Sequence, residues 1–515
     1  MNIRMKLSKK IYFENKKNFQ RIISKTKNEY SKGNYIDSVY YAKFGANYAW
    51  FHHPGLFYSN DLENILISIA MKNLNNNIHK NNTFLIDDRL KIMHVASEIL
   101  DVGGHTRAIF NWVENSKAQF NNLLVLTRNV IITPFLESLL KRYNITPMIL
   151  NDGNSNVFNI ASKLRQIAKE WPDYIILHTH PDDAIPILAF ASFEGPPILL
   201  FNHADHVFWL GSKISDATLN IRKEGLDLSA QRRGITNNFL LPLPLQERSK
   251  IKYNKDNQYF LKNKKIILTM ASDYKYTPFG NYNFSYFFEN FLEKRKDVGL
   301  IVIGAIKTGN FSKLYKKFSD RVLLVSPTPN IEQYLSITDV YIDSFPMSSL
   351  TSYLEAGIRG IPVIGVKNNT IPFLSARDPA FDEISFPTFL NSLNDLRNEL
   401  EFLLDDSKEQ EERGTKIRES IVAKHCNDEW LNLANKRLRL VKDHKMNKQN
   451  EVFIDKESNY DEYLANFFHK INENNRLMIK FYEWITQFSY LYLNDFIGKN
   501  IEHIGKYISS FKNDK

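Results

Sequence analysis

Asp343-Ser-Phe-Pro-Met-Ser-Ser-Leu-Thr-Ser-Tyr-Leu-Glu-Ala-Gly-Ile-Arg-Gly-Ile-Pro-Val-Ile364 is the stretch whose reading decides the fold. The run Val340 to Asp343 reads as a strand, Ser-Phe-Pro-Met-Ser-Ser as a loop, and the residues from Leu350 as a helix; Gly360-Ile-Pro then enters a second strand, Val363 to Val366. A helix connecting two short, fully apolar strands is a crossover, and crossovers build parallel sheets. Ser348 and Ser349 can cap the helix, and the exposed amides of its first turn offer an anion site suited to a diphosphate. Thr351 and Glu355 lie four residues apart and project from one helix face. A carboxylate there can accept hydrogen bonds from two neighbouring ribose hydroxyls while Thr351 donates to phosphate. Ordinary capping plus a surface carboxylate accounts for the same spacing, so spacing alone leaves both readings open.

Working outward, the alternation of short apolar runs with helical stretches occurs twice. The first set of expected strands is Lys91 to Ser97, Leu123 to Thr127, Pro147 to Leu150, Tyr174 to Thr179, Ile198 to Phe201 and Ala217 to Ile221. After Leu241-Pro-Leu-Pro244 and a Lys-rich stretch, the second set is Lys265 to Ala271, Gly299 to Gly304, Val322 to Ser326, Val340 to Asp343 and Val363 to Val366. The expected class is therefore α/β, with two Rossmann-like domains facing a cleft into which the strand C-termini point. Helical extensions flank them. Residues 1–88 carry apolar residues at helical spacing through Tyr30, Tyr35, Val39, Ala42, Ala46 and Ala49, broken at Gly33-Asn34 and His53-Pro-Gly55. The expected domains are 1–88, 89–250, 260–395 and 396–515. Tyr482, Trp484, Phe488, Tyr490, Tyr492 and Phe496 in the last of these suit a helix core, with a membrane-surface face as the alternative.

Composition sets the frame. A chain of 515 residues that is 43% hydrophobic can bury two or three cores. The net charge of +10 is spread along the chain and suits an anionic ligand without requiring one. The single cysteine, Cys426, rules out an intramolecular disulfide and a cysteine-based zinc cluster. The N-terminus has no apolar signal core, and no apolar run reaches about 18 residues, so a cytoplasmic protein is expected, with peripheral association at the inner membrane face kept open.

Three further segments carry chemistry. Asp101-Val-Gly-Gly-His105-Thr opens a helix after the first strand; Gly103 and Gly104 permit close backbone approach, and His105 would face the cleft. Phe201-Asn-His-Ala-Asp205-His206 clusters ionisable side chains at a strand end, where Asp205 or His206 could serve as general base or hold a sugar hydroxyl. His203 and His206 alone do not complete a plausible metal set, so no metal site is expected. His178-Thr-His180-Pro-Asp182-Asp183 could also reach the cleft, with helix capping by Asp182 as the simpler account. Finally, Ser272-Asp-Tyr-Lys275-Tyr-Thr-Pro278 follows the first strand of the second set; read alone, its lysine is most simply a solvated surface residue.

These segments resemble the donor site of the O-linked N-acetylglucosamine transferases and the related cytoplasmic N-glucosyltransferases of adhesins, which are GT-B glycosyltransferases. Asp343, Phe345, Pro346, Thr351, Glu355 and Ala356 fall in register with that motif. The resemblance implies that Ser349, Leu350, Thr351 and Ser352 hold the donor diphosphate, that Lys275 contacts it, and that Glu355 takes the ribose. It implies that the loop of Asp101, Gly103, Gly104 and His105 faces the cleft near the reacting sugar, which adds His105 and Asp101 to Asp205 and His206 as catalytic candidates, with His105, Asp205 or His206 aiding the nucleophile. The chain departs from the pattern at Ser349 and Leu350, where the family has glycine-like residues, and at Pro327 to Tyr334, where it carries basic residues. The expected function is sugar transfer from a nucleotide-sugar donor, most simply a UDP-sugar, to a protein, glycan or lipid-linked acceptor, inverting and metal-independent, with no other cofactor and no nucleic-acid partner. A non-catalytic nucleotide-sugar-binding or scaffold protein and a nucleotide-sugar epimerase are the alternatives.

Overall fold

Val, Ile and Leu runs that are apolar on both faces can only be strands covered from both sides, and they assemble here into two sheets. The computed structural model describes residues 2–74, 89–101, 103–128, 130–153, 155–251, 261, 264–305, 309–375, 377–443 and 457–473. In the first sheet β1 (Leu90–Ala96), β2 (Phe120–Leu126), β3 (Met148–Ile149), β4 (Tyr174–His178), β5 (Ile198–Asn202), β6 (Ala217–Asn220) and β7 (Asn238–Leu240) lie in the order β3-β2-β1-β4-β5-β6-β7. In the second, β8 (Lys265–Met270), β9 (Val298–Ile303), β10 (Val322–Val325), β11 (Val340–Ile342), β12 (Val363–Val366) and β13 (Phe389–Leu390) follow the order β10-β9-β8-β11-β12-β13. The strands pair in parallel throughout both sheets.

All eleven expected strands are present, and the structure adds β7 and β13. These two edge strands are three and two residues long, too short to leave a periodic signature. In both sheets the strand order reverses direction beside the first strand, between β1 and β4 and between β8 and β11. Side chains and loops at the C-terminal ends of these four strands therefore open into a crevice on each lobe.

The helical extensions brace the lobes. Helices Asn2–Ser31, Tyr35–Phe51 and Asn60–Asn73 precede β1, and Gly33 turns between the first two at φ 81°, where a side chain would be strained. Glu63 on the third helix is fully buried and accepts the amides of Gly211, Ser212 and Lys213, which ties the extension to the first lobe. Helix Asn427–Asp443 crosses back to that lobe. Its Trp430 packs edge-on to Trp112 with ring centroids 5.1 Å apart and donates to the Pro242 carbonyl at 2.8 Å. Removing either indole costs about 3–5 kcal/mol by the usual penalty for a buried aromatic. Helix Asp461–Glu473 is fixed by Asp461, which takes Arg232 and His53 as buried partners. Among the described residues no helix is long and apolar enough to cross a membrane. The aromatic series from Tyr482 to Phe496 lies outside the described residues.

Candidate active site

The segments singled out in the sequence come from the two switch points. The loop after β1 carries Gly103, Gly104 and His105; the loop after β8 carries Lys275; and the loop after β11 leads into helix Leu350–Gly357. The lobes touch here. A Cβ built on Gly104 would stand 2.6 Å from Thr351 Cγ2, so the first lobe's helix start approaches the second lobe's helix start more closely than any side chain allows.

Two cavities meet at this contact, and Gly104, Lys275 and Thr351 line both. One is completed by Gly103, Ser349, Ser352 and Glu355, the other by His105, His203, Asp205 and His206. The loop of the first is built around Asp343, which is buried at the end of β11 and accepts the amides of Ser344 at 2.8 Å and Ser349 at 2.9 Å as well as the Ser348 hydroxyl. Burial raises its carboxyl to about 6, against the pull of these donors and of Lys275. The expected cap is not formed. Ser348 spends its hydroxyl on Asp343, and Ser349, the N-cap residue, faces the Ser352 hydroxyl at 3.3 Å rather than a helix amide. The backbone N–H groups of Leu350 and Thr351 are consequently left without a hydrogen-bond partner among the described residues, at the positive end of the helix.

Lys275 enters the same space from a short 3-10 turn, Asp273–Tyr276, and donates to the Ser348 carbonyl at 2.9 Å. Burial lowers its ammonium to about 8, although Asp343 pulls the other way. Glu355 is held by Arg359 Nη1 at 3.0 Å, and Arg107 of the first lobe stands 4.0 Å away. Arg359 is itself buried and shared with Glu332, at 3.0 and 3.1 Å from its Nε.

The opposite wall belongs to the first lobe. His105 Nε2 donates to the His178 carbonyl at 2.6 Å, which fixes its proton on Nε2 and leaves Nδ1 as an acceptor; burial lowers the imidazole to about 4. Asp205 is fully buried. Burial alone would raise its carboxyl, but the Arg222 guanidinium, bidentate at 2.6 and 2.7 Å, holds it far below the usual range. His206 Nδ1 lies 3.2 Å from Asp205 Oδ1 and must donate to it, so its lone pair is on Nε2; burial lowers this imidazole below its usual value. Arg222 also donates to the carbonyls of Phe373 and Ser375 at 2.8 and 3.0 Å, joining the lobes behind the dyad.

Of the residues singled out, Lys275, Ser349, Leu350, Thr351, Ser352, Glu355, Gly103, Gly104, His105, Asp205 and His206 thus come together. Asp101 does not. Its carboxylate accepts the Thr133 hydroxyl and lines a neighbouring groove beside Leu100 and Arg142. Asp182 does not cap a helix; it pairs with Arg128 at 2.8 Å, and Asp183 instead accepts the Ile185 amide at 3.0 Å. Sequence reasoning missed Arg222, Arg359 and Arg107. Arg359 stands four residues after Glu355, a helical spacing that could have flagged the pair; Arg222 and Arg107 meet partners set by tertiary contact, so the chain offers no local signal for them.

No protein-family profile and no curated protein matches the sequence. Solved structures do. The chain aligns with HepE of Anabaena in complex with UDP and glucose at 12% identity and TM-score 0.51, covering 69% of this chain and 100% of that one. It aligns with a glycosyltransferase from Rickettsia africae at 13% identity and TM-score 0.51, covering 71% and 100%. TarM aligns at 11% identity and TM-score 0.53, covering 68% and 98%. Two parallel doubly wound sheets about one cleft, superposable on these structures over two thirds of its length, give the chain the GT-B fold that its motifs implied.

Proposed function

We propose that the protein is a glycosyltransferase that transfers a sugar from a UDP-sugar to a hydroxyl or amide acceptor on a protein or glycan. The observation that carries this reading is the convergence of Lys275, the free amides of Leu350 and Thr351, and Glu355 on one cleft whose opposite wall presents neutral imidazoles. The ammonium and the helix amides suit a diphosphate, and Glu355, held in place by Arg359, suits the ribose hydroxyls. HepE, which shares the fold, holds UDP and glucose, and this supports UDP as the nucleotide.

In the reaction the acceptor atom attacks C1 of the sugar while the bond from C1 to the diphosphate oxygen breaks and its electron pair leaves with UDP. Charge grows on the departing diphosphate, where Lys275 and the helix start stabilise it most in the transition state. His206 takes the acceptor proton on Nε2. Asp205, committed to Arg222, does not take a proton itself; it orients His206 and stabilises the imidazolium that forms. A single displacement inverts C1, and the positive charge supplied by Lys275 and the helix serves in place of a metal. On this reading the protein meets its acceptors in the cytoplasm or at the inner membrane face. Incubation with UDP-, GDP- and CDP-sugars, with and without cell extract, should release UDP; silence with every donor would overturn the proposal.

A further inference from the structure

A row of imidazoles crosses the first sheet beneath the cleft and is not used by the reaction above. Asn122 on β2, His94 on β1, His178 at the end of β4 and His203 just after β5 are linked in that order. His94 Nε2 lies 3.0 Å from Asn122 Oδ1, His94 Nδ1 lies 3.0 Å from His178 Nε2, and His178 Nδ1 lies 2.9 Å from His203 Nε2. His94 and His178 are fully buried, and Trp112 seals them edge-on at 5.6 and 5.9 Å. Only His203 reaches the cavity, beside His105, Lys275 and Thr351.

The direction of hydrogen bonding along this row is dictated by its buried end. Asn122 Nδ2 faces the Phe120 carbonyl at 3.3 Å and the Ser116 hydroxyl at 3.1 Å. A carbonyl can only accept, so the amide nitrogen must sit on that side and the amide oxygen must face His94. His94 therefore carries its proton on Nε2. A neutral imidazole has one proton, so His94 Nδ1 accepts from His178 Nε2, and His178 Nδ1 in turn accepts from His203 Nε2. Burial keeps each member neutral, pushing His94 down to about 4 and His178 and His203 well below their usual value. What is left over is the lone pair on His203 Nδ1, at the cleft.

We infer that Asn122, His94 and His178 are positioning residues that lock His203 in the Nε2–H tautomer, so that His203 Nδ1 accepts a hydrogen bond from a hydroxyl of the transferred sugar. This rests on the glycosyltransferase reading, in which the sugar hangs from the diphosphate at Lys275 and so occupies the half of the cleft that His203 lines. A sugar hydroxyl is the donor that such an acceptor recognises, and the neighbouring carboxylate, Asp205, is occupied by Arg222 and unable to compete.

The test uses the full chain labelled with 15N-histidine, each resonance assigned by single substitution. Long-range proton–nitrogen spectra should show His94, His178 and His203 all protonated on Nε2, and the His203 Nδ1 resonance should move with a UDP-sugar that is turned over but not with UDP. Replacing His203 by Phe should lower affinity for that UDP-sugar about tenfold, the weight of one hydrogen bond, and leave UDP affinity unchanged, while His203→Gln, which keeps an acceptor, should recover part of the loss. Asn122→Leu, which removes the acceptor at the far end, should produce the same discrimination loss together with a mixed His203 tautomer, a readout that a merely structural role would not move. A proton on His203 Nδ1, or UDP-sugar affinity unchanged in His203→Phe, overturns the inference while UDP binding leaves the parent reading standing. A protein that binds neither UDP nor any UDP-sugar overturns both.

Discussion

Replacing Lys275 by methionine should stabilise the free protein and disable it. The ammonium is half-buried, and lowering it from its usual 10.5 to about 8 corresponds to roughly 3 kcal/mol of unfavourable charging in the folded state at neutral pH. Methionine fills similar space without the charge. Against this stand the lost hydrogen bond to the Ser348 carbonyl, about 1 kcal/mol, and the lost favourable field on buried Asp343. A net gain of about 1–2 kcal/mol remains. The sign with pH follows from the lowered value. Between about 8 and 10.5 the folded protein binds fewer protons at this site than the unfolded chain, so wild-type stability rises through that window and the advantage of Lys275→Met, full below about 8, fades as pH approaches 10.5. Thermal melts at pH 7 and near pH 10 measure this difference directly. In the same protein, turnover should fall about 100-fold, and the upward shift in melting temperature that UDP gives the wild type should shrink, because the cation that meets the diphosphate is gone. A variant that melts lower than wild type at pH 7 and still turns over normally would show that Lys275 is a structural cation and would refute the argument.

Glu355→Gln should weaken UDP by about tenfold but leave 2′,3′-dideoxy-UDP nearly unaffected, since a charge-assisted hydrogen bond to ribose is what is lost; calorimetric titration of both nucleotides gives the ratio. Gly104→Ala places a methyl 2.6 Å from Thr351 Cγ2 and should raise the donor KM several-fold by holding the lobes apart, with the melting temperature unchanged. Arg222→Met leaves the Asp205 carboxylate buried without its cation and should cost about 3–5 kcal/mol in denaturant unfolding, whereas Asp205 and Arg222 replaced together by an apolar pair should recover much of it. The acid limb of kcat/KM for the donor, which reports the free enzyme, should fall below pH 6.5, because His206 acts when neutral and burial lowers its value; a limb at or above 6.5 would remove it as the base.

The wall proposed to hold the donor was readable as a cluster because its parts are local. Thr351 and Glu355 sit one turn apart on a helix whose strand, loop and exit are all punctuated in one segment, and Lys275 follows a strand that apolar patterning makes plain. The opposite wall was readable as a cluster but not as chemistry. That Asp205 is spent on an arginine 17 positions later, that Ser348 serves Asp343 rather than the helix, and that Arg359 also takes Glu332 are outcomes of the folded structure, whereas the Glu355–Arg359 pair is one helical turn apart. The histidine row is the extreme case. Its members stand on, or one residue beyond, four strands that are neighbours in the sheet and remote in the chain, so only the order β2-β1-β4-β5 brings them into line.

The two walls also depend on each other electrostatically. Lys275, Arg222 and a helix start give the cleft the positive charge that the proposed diphosphate site requires. The same charges act on His206, adding to burial in lowering its imidazole. Without a donor the imidazole proposed as base is neutral and ready to accept a proton, but it is weak: burial, with the two cations added, outweighs the stabilisation that Asp205 gives the imidazolium. On the reading proposed above, a bound diphosphate reverses this field: it neutralises Lys275 and places negative charge on the far side of the sugar, so that His206 becomes a stronger base only once the donor is in place. Proton removal from the acceptor is thereby favoured when there is a sugar to attack and disfavoured when there is not, without any moving part.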